Sequence, residues 1–556
     1  MKSELALVAT ALALGVPLLA GRVLAGHDIR LYLMYAAETA ANLRAGALLP
    51  AWASELNGGY GGPGLFLYPP LTSLVHGLAA WAGLPSVVGI SLLTVAATLL
   101  SGLATRAWLR AEGFAAGALP AAIFYMAAPY RTVTVYERSD LAEHWAFVFP
   151  PLILWAASTT LHAPRRIAIL SAATAGLLLS NLPLAALFGL GLAAWFVGTA
   201  GPSGKRLIVA LGAAAGYGLA AFALVPQALA ERWVKTEIFW GGGLDAMLPS
   251  RNTLFGPAPQ NPAFGTKISI VVLLTVALAA IAFLWARRTR GSAFWGALAV
   301  AAFLLTLSPF GRMWDRLPIL SMNNFPWRLA AVVTLAGAAL VGRISVPWQA
   351  RLVAALAVLS SAPYWGRLLE PLSKVPVESP EAVPPGTRFP DPSVLGEASA
   401  LAPNPWIRNP KLEDPGFIPR TLKRPVANEI FGDGPSVVGG RYLVSTSGVG
   451  VRTEVKSWSP LERTVRVSAA APTTVVFHTL HFPGMRVTRS GQDLEVFPDP
   501  RTGLLACRID AGDSMLTWRW EPFPELRLAH TVSAIFALLA LALLVVPSRK
   551  PRADRV

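Results

Sequence analysis

Apolar runs long enough to cross a lipid bilayer recur along most of this 556-residue chain. A run of about 20 residues spans the hydrocarbon core as one α-helix, because each residue adds about 1.5 Å and the core is about 30 Å thick. Backbone groups in lipid must find their hydrogen bonds within the segment, which leaves such runs little choice but the helix. Only 14% of the residues are charged. The sequence therefore predicts a polytopic α-helical membrane protein, located in the inner or plasma membrane.

The basic residues indicate how the chain threads the membrane. The net charge is +16, and nucleic-acid binding is one explanation of such an excess, but the charges gather in short loops, where Lys and Arg mark the cytoplasmic side. If Met1 is cytoplasmic, five clusters of basic residues all fall on the cytoplasmic side: Arg106/Arg110, Arg165/Arg166, Lys205/Arg206, Arg287/Arg288/Arg290 and Arg343/Arg351. We expect about 12 transmembrane helices by the length criterion. The first is read as an uncleaved helix, not a signal peptide, and both termini are cytoplasmic.

The chain divides into a helical part and a smaller outer part. Residues 1–368 predict the transmembrane domain, with a long first outer loop at 26–85. Within that loop, residues 29–43 are amphipathic, and the segment after Pro69-Pro70 reads as a half-inserted helix. A full span at 69–85 would invert every later loop, and this alternative stays open.

The composition changes after residue 368. Proline crowds residues 369–436, which predicts an extended extracytoplasmic connector. Short β-branched runs and turn residues over 437–525 predict a small extracytoplasmic antiparallel β-domain, β-sandwich-like. Residues 526–556 carry the last apolar helix and a basic tail. Cys507 is the single cysteine, so an internal disulfide and a cysteine-based metal site are excluded.

Charged side chains collect where three outer loops meet the membrane. Such groups are costly near hydrocarbon unless they are paired or functional. A carboxylate beside a basic group can act as a general base towards a hydroxyl, and arginines bind phosphate through paired hydrogen bonds. The three loops carry His27, Asp28 and Arg30; Glu137, Arg138, Asp140, Glu143 and His144; and Arg312, Asp315, Arg316 and Arg328. Together they indicate transfer of a group from a lipid-linked phosphate at the outer face.

Each candidate also has a structural explanation. Asp28 can cap the helix that follows it, the acids of the second loop can form a capping and ion-pair cluster, and Arg328 can extend to the interface. Tyr60 and Tyr68, in "NGGYGGPGLFLYPP", can stack on sugars or lie in the headgroup belt. No D-x-D, Walker A or zinc-protease motif occurs at a useful place, and a divalent metal is left open.

These stretches resemble a known group. "GHD", "LRAGALLPAW" and "LNGGYGGPGLFLYPPL" are similar to the first outer loop of YfhO-like bacterial and archaeal membrane proteins, some labelled 6-pyruvoyl-tetrahydropterin synthase-related. "VYERSDLAEHWAFVFPPL", "LPILSMNNFPWRLAAVV" and "HFPGMRVTRSGQDLEV" agree further along. Two positions depart from the family pattern. Met485 stands where the family has Trp, and the His expected directly before Asn181 is missing. No pterin or zinc-histidine site supports the pterin label.

The resemblance implies a GT-C-type glycosyltransferase that uses a polyprenyl-phosphate-linked sugar and a glycolipid, cell-envelope polysaccharide or protein acceptor. It implies Asp28 as general base and Arg328 as a contact of the donor phosphate. The catalytic candidates are Asp28, Glu137 and Glu143, and the substrate-binding candidates are His27, Arg30, Tyr60, Tyr68, Arg138, Asp140, His144, Arg316 and Arg328.

Two other functions remain open at this point. A transporter or flippase of lipid-linked glycans predicts charges within the spans and repeat symmetry. The spans here are almost free of charge, which favours the transferase. A non-catalytic polysaccharide-assembly protein would depend on its β-domain, and Asp28 would be dispensable.

Overall fold

The computed structural model describes residues 2–20, 26, 28–54, 56, 60–199, 203–234, 248–255, 262–321, 323–366, 444–446 and 450–547. The predicted connector at 369–436, the start of the predicted β-domain and the basic tail from residue 548 lie outside these ranges.

The described chain is mostly helical. Its α-helices, in chain order, are α1 (Lys2–Leu19), α2 (Ile29–Arg44), α3 (Gly64–Leu67), α4 (Leu71–Trp81), α5 (Ser86–Ala111), α6 (Ala118–Ala127), α7 (Pro129–Val133), α8 (Leu141–Ala146), α9 (Phe149–Ser158), α10 (Ala163–Ser180), α11 (Leu182–Thr199), α12 (Ser203–Leu219), α13 (Ala221–Leu229), α14 (Pro262–Ala286), α15 (Ser292–Leu304), α16 (Gly311–Arg316), α17 (Pro318–Ser321), α18 (Ala330–Gly342), α19 (Pro347–Leu359), α20 (Ala362–Trp365) and α21 (Pro524–Val545). A π-helix covers Thr134–Arg138, and 3₁₀ turns cover Ala230–Arg232, Pro249–Asn252, Ser308–Phe310 and Pro326–Leu329.

Several of these helices are apolar enough to cross a membrane. Within the described residues, α1, α5, α14 and α21 meet the criterion of length and composition, and α12 with α13 gives a fifth candidate whose halves bend by 67°. Shorter apolar helices, α4, α11, α15 and the stretch 326–342, accompany them. The chain is thus a membrane protein, and the expected total of about 12 spans stays a prediction because many predicted spans correspond to short or broken helices.

The segment after Pro69-Pro70 forms a short helix. α4 has 11 residues, so it is about 16 Å long at 1.5 Å per residue and is too short to cross the hydrocarbon core. It packs along α2, where Gly77 lies against Thr39 so closely that a Cβ would collide with it. A full span over this helix is therefore excluded by its length, and its half-inserted position stays a prediction.

The centre of the helical part is α18. All of its side chains are buried, among them residues that pack with α6, α14 and α15 in one hydrophobic core. A helix that is apolar all round belongs in the middle of a bundle. Arg328 enters from the 3₁₀ turn directly before α18, so this rigid helix determines where its side chain lies.

The small antiparallel β-region expected before the last helix is confirmed. Its strands are β1 (Val444–Thr446), β2 (Arg452–Trp458), β3 (Glu462–Ala469), β4 (Thr473–Leu480), β5 (Met485–Arg489), β6 (Gln492–Leu494), β7 (Val496–Pro498), β8 (Leu504–Ile509) and β9 (Gly512–Trp520). They form two sheets, ordered β1-β4-β8-β7 and β2-β3-β9-β5-β6. Side chains along β3 and β9 alternate in burial, and the buried ones share a core with β4 and β8. This is a sandwich.

The β-sandwich packs against the segment between α1 and α5. Phe482, in the turn after β4, has its ring 5.9 Å from Trp52 and 5.8 Å from Phe66. The amide of Leu480, the last residue of β4, donates to the carbonyl of Tyr60 at 2.9 Å. These contacts join the sandwich and the segment between α1 and α5 in one buried apolar cluster.

Candidate functional site

The segment between α7 and α8 folds into a compact turn that directs charged side chains into the protein. After α7 the chain widens into the π-helix, a rare element that is frequent at functional sites. Ser139 then adopts a left-handed backbone with φ 52°, and Asp140 begins α8 by accepting a 2.9 Å hydrogen bond from the amide of Glu143. An aspartate with a glutamate three residues on is a typical helix start. The turn directs Arg138, Asp140 and Glu143 towards one point.

These three side chains meet Arg328 in a buried ion cluster. Arg138 donates from Nη2 to Asp140 Oδ2 at 2.6 Å and from Nη1 to Glu143 Oε2 at 2.5 Å. Arg328 donates to the same two oxygens, from Nη2 at 3.3 Å and from Nε at 3.2 Å. Buried ions are tolerated only when they are paired and hydrogen-bonded. Two guanidinium charges here offset two carboxylate charges.

Aromatic rings enclose this ion cluster. The guanidinium of Arg138 lies 4.8 Å from the centre of the Trp327 ring, and that of Arg328 lies 5.3 Å from the Phe325 ring. The hydroxyl of Tyr130 donates to Glu143 Oε1 at 2.5 Å. Burial would raise the pKa of Asp140, but the guanidinium groups of Arg138 and Arg328 outweigh it and hold that pKa below its usual value. Asp140 is therefore a hydrogen-bond acceptor at neutral pH.

Asp28 is brought to the same place by a close approach of two backbones. A Cβ on Gly26 would lie 2.7 Å from the amide nitrogen of Ser139, so a side chain there is excluded. The amide of Asp28 donates to the carbonyl of Arg138 at 3.0 Å. Asp28 thus stands beside the ion cluster, directly before the first residue of α2.

The carboxylate of Asp28 differs from the other two acids. It occupies the N-cap position of α2 but makes no capping hydrogen bond, and it has no hydrogen bond or salt bridge to any residue that the structure describes. Its side chain is half-buried. Burial and the carboxylate of Asp140 raise the pKa of Asp28 to about 7, against the opposing effect of Arg138 and Arg328. The geometry does not support a side-chain cap.

The raised pKa has a measurable effect on stability. Asp28 takes up its proton at about pH 7 when folded and at about pH 3.9 when unfolded. The folded state therefore binds the extra proton between these values, and stability falls as pH rises through this window. Asn does not titrate, so the free energy of unfolding of Asp28→Asn should not show this fall. Its difference from the wild-type value should therefore be ~2 kcal/mol more favourable to the variant at pH 8 than at pH 5. Thermal unfolding in one detergent at both pH values measures this, and a pH-independent difference would contradict the raised pKa.

Two tyrosines connect Asp28's helix to the cluster. Tyr32, one helical turn after Asp28, donates from its hydroxyl to Asp140 Oδ1 at 3.0 Å and accepts from the amide of Ala142 at 3.1 Å. The hydroxyl of Tyr68 lies 3.1 Å from that of Tyr32. Burial comes first among the causes that raise the pKa of both phenols, so both keep their protons.

Other predicted residues point elsewhere. Glu137, on the π-helix, accepts a hydrogen bond from Nζ of Lys267 at 3.0 Å, outside the buried ion cluster. His144 is buried on α8 and turns to α5, where its Nε2 lies 3.1 Å from Oγ1 of Thr98 and 3.1 Å from the carbonyl of Thr94. These two contacts are with side chains and backbone outside the ion cluster.

Tyr60 and Arg316 also lie apart from the cluster. Tyr60 is buried beside the β-sandwich, with its ring 6.1 Å from that of His478. Arg316 ends α16 and is exposed. His27, and the side chain of Arg30, fall outside what the structure describes, although the backbone of Arg30 belongs to the first turn of α2.

Three participants were missed in the sequence: Tyr32, Tyr130 and Trp327. Tyr32 could have been found, because its spacing of four from Asp28 puts both on one face of a helix. Tyr130 and Trp327 are contributed by different loops, and no local pattern joins them. Within the described ranges, no group of three or more His, Cys, Asp or Glu side chains is arranged to hold a metal ion.

Comparisons with known proteins give limited likeness. No protein-family model matches the chain, and no curated protein matches it. The likeness to YfhO-like proteins therefore stays a prediction. Among solved structures, the chain is similar to the arabinofuranosyltransferase AftD from Mycobacteria, with 18% identity over 66% of this chain and 27% of that one, at a TM-score of 0.44. A mutant of AftD gives 17% identity over 69% and 29%, at a TM-score of 0.43. The chain spans less than a third of the length of these structures.

Proposed function

We propose that this protein is a membrane glycosyltransferase that moves a sugar from a polyprenyl-phosphate-linked donor to a hydroxyl acceptor at the outer membrane face. The observation that carries the proposal is Asp28. It is a half-buried carboxylate without a described partner, beside two acids whose oxygens are all engaged.

The state of Asp28 suits a general base. Catalysis by proton transfer is most effective when the pKa of the group lies near the working pH. The pKa of about 7 gives Asp28 both a substantial ionised fraction and real affinity for a proton at neutral pH. The oxygens of Asp140 and Glu143 are paired with Arg138 and Arg328, whereas the Asp28 carboxylate has no such partner among the described residues and can meet a substrate hydroxyl.

Arg328 offers the complementary contact. Its Nε and Nη2 are taken by Glu143 and Asp140, while Nη1 has no partner among the described residues. The side chain is 12% exposed. A guanidinium N–H in this position can donate to a phosphate oxygen, and it stands directly before the rigid helix α18.

The reaction then follows from these two groups. The acceptor hydroxyl oxygen forms a bond to the anomeric carbon while the bond from that carbon to the phosphate oxygen breaks. The electron pair of the broken bond leaves with the polyprenyl phosphate, whose added charge Arg328 stabilises. The hydroxyl proton passes to the carboxylate of Asp28.

Purified full-length protein in lipid nanodiscs tests the proposal. It is incubated with a panel of polyprenyl-phosphate sugars and with glycolipid, polysaccharide and peptide acceptors, and transfer is followed with labelled sugar. We expect one donor to give a labelled acceptor and free polyprenyl phosphate in equal amounts. Movement of intact donor across liposome membranes, without any transfer from the panel, would instead identify a flippase.

A further inference from the structure

Tyr68 connects the β-sandwich to the candidate site. It follows α3 directly, and Phe66 of α3 packs its ring 5.8 Å from Phe482, 6.0 Å from Trp520 and 6.4 Å from Phe523. Aromatic contacts of this kind fix the orientation of short segments. The sandwich therefore holds α3 in place, and α3 holds Tyr68.

The hydrogen atoms of the two phenols can be assigned. Asp140 is ionised and can only accept, so the one hydroxyl proton of Tyr32 goes to Asp140 Oδ1. The Tyr32 oxygen already accepts from the amide of Ala142. In the 3.1 Å contact between the two hydroxyls, Tyr68 must then be the donor and Tyr32 the acceptor.

This assignment leaves the oxygen of Tyr68 with both lone pairs available. No described residue donates to it. The side chain is half-buried, and its ring is held 5.7 Å from that of Tyr35. Asp28 and Arg328 are both near enough to act electrostatically on this phenol. The oxygen is thus a fixed hydrogen-bond acceptor beside the candidate base.

We propose, resting on the glycosyl-transfer function proposed above, that the Tyr68 oxygen accepts a hydrogen bond from a hydroxyl of the bound sugar and that the docked β-sandwich sets its position. Tyr68 then selects substrates that carry this hydroxyl. A site built to hydrogen-bond a hydroxyl discriminates against the analogue that lacks it.

Deoxy analogues of donor and acceptor test the assignment on Tyr68→Phe. The wild type is expected to show a KM about 10-fold higher for one deoxy analogue than for its parent. Tyr68→Phe is expected to raise the KM of the parent about 10-fold, to leave that of the deoxy analogue unchanged, and to keep kcat within about twofold. Whether the sensitive analogue is a donor or an acceptor identifies the sugar that Tyr68 contacts.

Two controls separate binding from a general loss of structure. Tyr125→Phe removes a buried hydroxyl that donates to the carbonyl of Phe147 at 2.9 Å, away from the site, and should preserve the discrimination. Phe482→Leu loosens the docking of the sandwich and should reduce the discrimination without touching Tyr68. If Tyr68→Phe still discriminates against the deoxy analogue as the wild type does, Tyr68 does not read the hydroxyl.

A binding measurement keeps the two proposals distinguishable. The same sugars are titrated onto wild-type and Tyr68→Phe protein, and affinity is followed by tryptophan fluorescence. Wild-type binding that depends on the hydroxyl and on Tyr68, without transfer, would support the recognition and refute the transferase. Transfer that does not depend on Tyr68 would support the transferase and refute the recognition by Tyr68. An absence of both sugar binding and transfer would refute both proposals.

Discussion

Replacing Asp28 with Asn is expected to lower the rate of sugar transfer about 10²–10⁴-fold, the usual contribution of a positioned general base. Asn has the shape of Asp but cannot accept the hydroxyl proton. In the wild type, kcat/KM should rise with pH and level off above an apparent pKa of about 7, the value expected for Asp28. The variant should retain a low rate without this inflection.

The matched control is Asp315→Asn. Asp315 is also a carboxylate of the predicted outer loops, but it accepts a 3.0 Å hydrogen bond from the amide of Ser250 and is an exposed residue of α16. Its replacement should leave the rate and the pH profile unchanged. Thermal unfolding of Asp28→Asn at the assay pH separates a loss of activity from a loss of fold. A variant that transfers sugar at the wild-type rate would remove Asp28 as the base.

Replacing Arg138 with Met is expected to destabilise the protein by about 3–5 kcal/mol. The side chains of Arg138, Asp140 and Glu143 are at most 5% exposed. Without Arg138, the only positive charge that still pairs with these two carboxylates is Arg328. Its contacts with them are longer, at 3.2 and 3.3 Å. An unpaired charge that stays buried is among the largest sources of instability from one substitution.

Lys267→Met is the control for Arg138→Met. Lys267 also pairs with a carboxylate of the same loop, Glu137, but its side chain is 59% exposed, and exposed pairs contribute about 0–1 kcal/mol. Thermal unfolding in the same detergent should separate the two variants clearly. Adding Glu143→Gln to Arg138→Met should restore part of the stability, because it removes one of the two buried carboxylate charges that have lost Arg138 as their partner. Equal effects of both single variants would show that Arg138 is not the main countercharge.

The local features of the fold were accessible from the sequence. The amphipathic pattern over 29–43 predicted α2, which runs from Ile29 to Arg44. The β-branched runs predicted strands, and the final helix begins at Pro524, two residues before the predicted C-terminal segment 526–556. Such elements follow from periodicity, which depends on neighbours in the chain.

The grouping at the candidate site depends on contacts that periodicity does not encode. The loop charges were expected at one level of the membrane, yet Glu137 and His144, close in sequence to Arg138 and Asp140, turn to different partners. The π-helix and the left-handed Ser139 rotate successive side chains out of the regular helical order. Tyr60 was expected near the substrate, but a strand more than 400 residues later holds it at the sandwich, where its carbonyl bonds Leu480.

That bond between Tyr60 and Leu480 also bears on the order in which the protein is made. A chain that emerges from the ribosome at about 5–20 residues per second completes its first outer loop long before it reaches the sandwich. Until β4 and the turn after it have been made, Trp52, Tyr60 and Phe66 lack the apolar surface of the sandwich that buries them in the folded protein. This loop can therefore reach its final packing only after the sandwich, close to the end of the chain, has been synthesised.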